Sequence, residues 1–233
     1  MPRKSTKQTS RTAPSLRRWA LWALVTGALC IGVAALAHRA IAPGPTFYMK
    51  QEARRLGRIA HDWTPIADIA PVMARSAVAA EDADFCNHWG FDMRAIREVM
   101  ERGAGRGAST ISQQTVKNVY LWHGRSWLRK ALEALMTPVV EAAWSKRRII
   151  EVYLNVAEFD EGIFGVGAAS RHYFGVNASQ LTPRQAARLA AVLPDPKDRS
   201  ASKPTAWVQK RAAGIMDGAA TIRRDGRAAC FED

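Results

Sequence analysis

Cysteine is scarce in this chain of 233 residues: Cys30, Cys86 and Cys230 are too few and too scattered for a disulfide framework or a zinc cluster. Acid is scarce too, with 21 Asp and Glu against 34 Lys and Arg and a formal net charge of +13. The excess is uneven. Arg3, Lys4, Lys7, Arg11, Arg17 and Arg18 stand in residues 1–18 with no acid among them. That excludes a uniformly basic nucleic-acid-binding surface and leaves a basic tail on a mildly basic globule. Alternating strand patterns and internal repeats are missing as well, which leaves a mainly α domain. Apolar residues are not lacking: 48% hydrophobic and 24% charged is the composition of a folded protein, and the length suits one domain with a short appendage.

No charge interrupts residues 19–37, WALWALVTGALCIGVAALA. As a helix at about 1.5 Å per residue this run spans roughly 28 Å, close to the hydrocarbon thickness of a bilayer. It has no polar face, which argues against a buried core helix. Arg17 and Arg18 flank one end, His38 and Arg39 the other. The positive tail is therefore expected in the cytoplasm and residues beyond about 40 on the outer side. The alternative is a cleaved signal peptide with Ala35-Leu36-Ala37 as its small-residue site, although the run exceeds the usual apolar region of about 7–15 residues. The expected organisation is a basic tail (1–18), an anchor (19–39), a membrane-proximal linker (40–70), a helical domain (71–222) and a short tail (223–233).

Within the domain the helix signals are dense. Pro71 suits a first helical turn, with Val72, Ser76, Ala79 and Ala80 on one face. Asp92 can cap a helix striped by Met93, Ile96 and Met100, followed by a Gly-rich loop, ERGAGRGA, at 101–108. Thr110 and Gln113 form a capping-box pattern that opens a helix to about Leu121. Ser126 caps a longer helix, predicted to turn Leu128, Leu132, Leu135 and Val139 inward and to kink at Pro138. Ser145 caps the next, ending near Leu154; Thr182-Pro183 with Gln185 starts another that Pro194 closes, and a last helix lies between Pro204 and Gly218.

Three clusters could carry chemistry. Glu81, Asp82 and Asp84, followed by His88, crowd carboxylates at a probable helix end, where one can serve as a general base; a solvated acidic terminus is the competing reading. One histidine makes a metal site weak, and Cys86 beside it reads as packing. In 107–118, Ser109 and Thr110 offer hydroxyls and N–H groups at a helix start, while Gln113 and Gln114 share faces with Lys117. A P-loop is absent there, and a polar exposed helix is the alternative. Arg129 and Lys130 bracket Glu133 at helical spacing, in isolation no more than an intrahelical salt bridge.

Taken in order, E-D-x-x-F-x-x-H-x-G-x-D (81–92), G-A-S-T-I-S-Q-Q-x-x-K-N (107–118), R-K-x-x-E (129–133), S-K-R-x-I-x-E-x-Y-L-N (145–155) and G-x-x-x-x-G with Y-F-G (162–175) resemble the motifs of the peptidoglycan glycosyltransferases. The resemblance runs from about residue 45 to 218 and implies a lysozyme-like, mainly α fold. It implies transfer of a growing glycan chain onto lipid II, with inversion and loss of undecaprenyl pyrophosphate. Glu81 would be the general base and Glu133 the second essential glutamate. Lys117, Arg129, Lys130 and Arg148 would neutralise the pyrophosphate, and Ser109, Thr110, Gln113 and Gln114 would hold sugar and phosphate oxygens. Asp82, Phe85 and His88 complete the substrate-binding set. No cofactor is expected to be tightly bound; a divalent cation, Mg or Mn, could assist at the pyrophosphate. Apolar residues near 45–75 would dip into the membrane lipid, and other cell-wall synthesis or division proteins are the implied partners, with no nucleic acid. The implied location is the inner membrane, single-pass, with the domain on the periplasmic side. A same-fold hydrolase or an inactive scaffold are the rivals.

Overall fold

A computed structural model describes residues 16–102 and 109–232. The chain divides at Ala34–Ala35 into two compact units. The first is most of helix α1 (Leu16–His38), long and apolar enough to cross a membrane. Its Trp22 and Leu24 are 66% and 71% exposed, so no protein core accounts for its hydrophobicity. The basic positions before residue 16 and most of the Gly-rich loop lie outside the described residues.

The second unit begins with the last turn of α1. Trp144 donates its indole N–H to the Ala35 carbonyl at 2.6 Å. Arg148 donates to the carbonyls of His38 and Ile41 at 3.0 and 2.8 Å, satisfying groups that a helix end leaves open. Residues expected as a linker contain α2 (Phe47–Leu56), capped by Thr46 and ended by Gly57 at φ 79°. Its Lys and Arg residues mask the two positions it buries, Met49 and Glu52. In the 45–75 stretch Met49, Ile69 and Met73 are core, while Phe47 is exposed.

Three two- or three-residue strands form a small sheet: β1 (Ala60–His61), β2 (Glu158–Asp160) and β3 (Ile163–Phe164), in the order β1-β3-β2. The β1–β3 pair is parallel and β2–β3 antiparallel. Strands this short carry no readable alternation. Around them two helical groups pack. In one, α3 (Pro71–Glu81) lies against α9 (Pro183–Val192) and α10 (Ala206–Arg224). Buried alanines at 74, 77, 186, 187, 190 and 191 let these backbones approach closely. Helix α3 buries Met73 through Val78, nearly all round, rather than one face. Helix α10 continues past Gly218.

In the other group α5 (Ile111–Tyr120) packs against α6 (Trp127–Ala143) and α7 (Lys146–Val156). The expected inward face of α6 points outward: Leu128 and Leu135 are 64% and 71% exposed, and Val139 is exposed too. The buried face is Glu133, Met136, Thr137, Val140 and Glu141, because this helix turns its ion pairs inward. Pro138 lies inside α6, which continues past it. Helix α4 (Met93–Arg102), capped by Asp92, likewise leaves Met93 and Met100 exposed. Helix α8 (Val166–Phe174) borders the sheet; a Cβ on its Gly167 would lie 2.2 Å from Thr64 Oγ1. Buried Asn155 fixes the same strap, accepting from Thr64 N at 2.7 Å and donating to Thr64 O at 2.8 Å.

The chain ends in α11 (Ala229–Glu232), and Cys230 is bonded to Cys86. Cys86 is therefore not a packing thiol. A single bond across a separation of 144 residues leaves no spacing pattern to read.

Candidate active site

Helix α3 delivers Glu81 at its last position, and Asp82 follows as the C-cap, its N–H still bonded to the Val78 carbonyl. The two carboxylates then part. Asp82 is buried and turns inward, with Oδ1 2.7 Å from His88 Nε2 and Oδ2 accepting the Ile111 N–H at 2.9 Å. It thus holds the start of α5. Phe85, fully buried, packs against His88 and beneath the Lys146 ammonium. Asp82 and His88 fix the turn, and Phe85 supports it from below. Gly90 explains the glycine of the first motif: at φ 85° its missing Cβ would lie 2.6 Å from Thr137, and its carbonyl accepts the Thr110 hydroxyl at 2.7 Å.

Glu81 faces a cavity of about 480 Å³ bordered by Ser109, Thr110, Gln114, Trp207 and Arg211. Gln114 donates to Glu81 Oε2 at 3.1 Å, and Arg211 of α10 stands 3.4 Å from Oε1. Burial raises the Glu81 pKa; the Gln114 hydrogen bond and the Arg211 and Lys117 charges work against that rise. A half-buried carboxyl whose pKa is raised, at a cavity wall, is a fitting general base.

A second cavity, of about 350 Å³, shares Gln114 and is bordered by Lys117, His123, Tyr48 and Lys197. Burial lowers the Lys117 pKa, with the Glu133 charge opposing and Arg129 and Lys130 reinforcing it. His123, stacked on Tyr48 at 3.6 Å, is pushed down to about 4 by burial and by the Lys117 and Arg129 charges, so it is neutral at pH 7. Glu133 is 2% exposed and takes Arg129 Nη1 at 2.7 Å and the Lys130 ammonium. Lys130 also donates to Ser109 Oγ at 3.0 Å, joining α6 to the start of α5. This is a buried cluster of charges rather than a surface pair.

The structure therefore brings together Glu81, Asp82, Ser109, Thr110, Gln114 and Lys117, with Glu133, Arg129 and Lys130 alongside. Gln113 is spent on the capping box with Thr110. Arg148 lines neither cavity; it binds Glu151 and caps the end of α1. Among the described residues no three His, Cys, Asp or Glu side chains gather as a metal site. Arg211, and Trp207 with Arg199 4.3 Å over its ring, were not anticipated. Trp207 and Arg211 lie more than 120 positions from Glu81, and the packing of α10 on α3 brings them there.

Residues 49–220 match the family model described as Transglycosylase. The chain is 58% identical over 233 residues to a biosynthetic peptidoglycan transglycosylase of Jannaschia sp. (strain CCS1), covering 98% of this chain and 97% of the relative. It is 46% identical over 202 residues to one from Caulobacter vibrioides (85% and 88% covered), and 54% over 158 residues to one from Pseudomonas entomophila (66% and 67% covered). The match begins inside α2, so most of that helix lies within the matched region. On the extent of that match and the identity of these relatives, the chain belongs to the transglycosylase family.

Proposed function

We propose that this protein is a peptidoglycan glycosyltransferase that polymerises lipid II, with Glu81 as the base. Its carboxylate takes the proton of the acceptor sugar's 4-hydroxyl as that oxygen attacks the anomeric carbon of the growing chain. The bond to the pyrophosphate breaks on the opposite face, so the centre inverts and the electron pair leaves with undecaprenyl pyrophosphate. Lys117, Arg129 and Lys130 meet the charge that grows on the leaving oxygen, a stabilisation stronger in the transition state than before it. Ser109, Thr110 and Gln114 hold polar oxygens along the cavity wall. A divalent cation at the pyrophosphate would be held mainly by phosphate oxygens, since Asp82 is engaged with His88 and Ile111.

One observation carries this reading: a half-buried glutamate with a raised pKa opens onto a cavity that adjoins a cluster of three cations. A hydrolase would need the glutamate but not the cations. The exposed faces of α4 (Met93, Met100) and α6 (Leu128, Leu135, Val139) suit membrane lipid or the substrate's polyprenyl tail. The α1 span suits an anchor, and a persisting disulfide suits an oxidising compartment outside the cytoplasm. Assay of the full chain in detergent with lipid II and, separately, with finished glycan tests the reading. Polymer from lipid II supports it; cleavage of glycan without polymerisation would overturn it.

A further inference from the structure

The last residues lie past position 220, where the family match ends, yet they grip the turn that follows Glu81. Cys230 is bonded to Cys86, in the middle of that turn. Phe231 is buried with its ring 6.2 Å from Phe85. Glu232 pairs with Arg75 of α3, and Arg147 of α7 donates to the carbonyls of Phe231 and Glu232 at 3.1 and 3.0 Å. Arg227 donates to the Ala83 carbonyl at 2.9 Å. The tail thus touches α3, α7 and residues 83–86 at once.

What it holds matters to the site. Residues 82–88 contain a single three-residue turn of 3-10 helix, so their position depends on anchors rather than on a hydrogen-bond ladder. Two anchors face the site: Asp82 on the Ile111 N–H and His88 on Asp82. Others come from the tail, from Arg94 of α4, which pairs with Asp84, and from Lys146, which donates to the His88 carbonyl at 2.8 Å. A four-residue helix such as α11 does not hold itself in place. Its covalent bond and its contacts keep it there.

We propose that this C-terminal tail is a redox-sensitive clasp that positions the catalytic turn, with Cys86 and Cys230 as its lock. Cys86 and Cys230 are positioning residues, acting through Asp82 on the start of α5 and on Glu81. An external dithiol opens the lock by thiol–disulfide exchange. Its two thiols become a disulfide, and the two electrons and two protons pass to Cys86 and Cys230, which become thiols. Displacement of the turn by about 1 Å is enough to lower turnover strongly. The inference rests on the glycosyltransferase reading only for its activity readout.

The test uses the full-length protein in detergent, in a C30S background so that only this pair responds. Lipid II turnover, melting temperature and hydrogen exchange of the 82–88 amides are measured oxidised, after dithiothreitol, and after reoxidation. C86S/C230S is carried alongside. Reduction is expected to lower kcat at least about fivefold with KM little changed, well below the melting point, and to speed exchange at 82–88. Reoxidation should restore both, and the double-serine variant should sit at the reduced level and ignore dithiothreitol. A lower melting temperature with kcat and exchange unchanged would make the bond a staple only. A further loss in C86S/C230S on adding dithiothreitol, as large as that of the parent, would place the effect elsewhere, and outright unfolding on reduction would make the tail a global element; each overturns the clasp. Oxidised protein that binds but does not polymerise lipid II counts against the function instead, and exchange at 82–88 then decides the clasp.

Discussion

Two glutamates stand in this site, Glu133 buried and Glu81 half-buried, and their surroundings are opposite. Glu133 is enclosed by two cations of its own helix, one of them at 2.7 Å, and accepts from both. Glu81 has a neutral amide at 3.1 Å and a guanidinium at the longer distance of 3.4 Å, and it borders open space. A carboxylate held by two cations arranges them; one that is desolvated and loosely paired can take a proton and release it. The same residue type is made anchor or base by its neighbours. Glu133 fixes both cations beside it, and on the proposed reaction that is where a pyrophosphate would meet them.

The sharpest way to break the contrast is Glu81→Gln. It keeps size and hydrogen bonding but cannot accept a proton, and general bases typically contribute about 100- to 10,000-fold. Polymerisation should fall by that order while lipid II binding persists. Stability should move the other way. A carboxyl whose folded pKa is raised is disfavoured in the folded state once pH exceeds its unfolded value, and the penalty stops growing above the folded pKa. Glu81→Gln should therefore melt above wild type at pH 7, with the gap closing below the ordinary carboxylate range. Near-normal polymerisation would dismiss Glu81 as the base.

Glu133→Gln should do the reverse to stability. It leaves Arg129 and Lys130 without their anion in a buried place. That should cost about 2–4 kcal/mol, less than for a fully buried cluster because the Lys130 side chain is 40% exposed. Turnover should fall about 100-fold or more as the cations lose their placement. Denaturant melts alongside the lipid II assay separate the two effects; a variant as stable as wild type would mean the cluster is not the anchor described above.

How much of this contrast could be read beforehand follows from its physics. The capping box at Thr110 and Gln113, the Thr182 start and the Asp92 cap are local, and each stands where its spacing puts it. The identity of both glutamates came from motif order. Their environments did not, because they depend on which face of α6 turns inward. Hydrophobic spacing favoured Leu128, Leu135 and Val139, yet the helix buries Glu133, Thr137 and Glu141. A face that carries buried charge and leaves its leucines exposed runs against the usual amphipathic rule. Arg211 and the Cys86–Cys230 bond were illegible for a plainer reason: each links segments more than 120 residues apart.

Lys117→Ala and Lys130→Ala sharpen the cation side. Losing one stabiliser of developing charge typically costs about 100- to 1000-fold in turnover. Lys117 should show the fuller effect, because burial leaves its charge less screened and, among the described residues, no carboxylate forms a salt bridge with it as Glu133 does with Lys130. Retention of more than about a third of wild-type turnover by either variant, far outside that range, would return that lysine to a structural role.

The smallest expected effect is the most diagnostic of the base, and it concerns Arg211. Its positive charge opposes the rise that burial imposes on the Glu81 pKa. Catalysis needs Glu81 ionised, so the rate should climb with pH through that pKa and then level off. Arg211→Gln removes the opposing charge, which drives the pKa further up and moves the acid limb to higher pH. The loss should therefore be largest on the acid limb and shrink as pH rises and Glu81 becomes ionised in both proteins. Arg211→Lys should restore most of the profile, since charge rather than shape sets the shift. A residue that merely packs α10 on α3 would lower turnover evenly across pH, and an Arg211→Gln profile parallel to wild type would remove Arg211 from the tuning of Glu81.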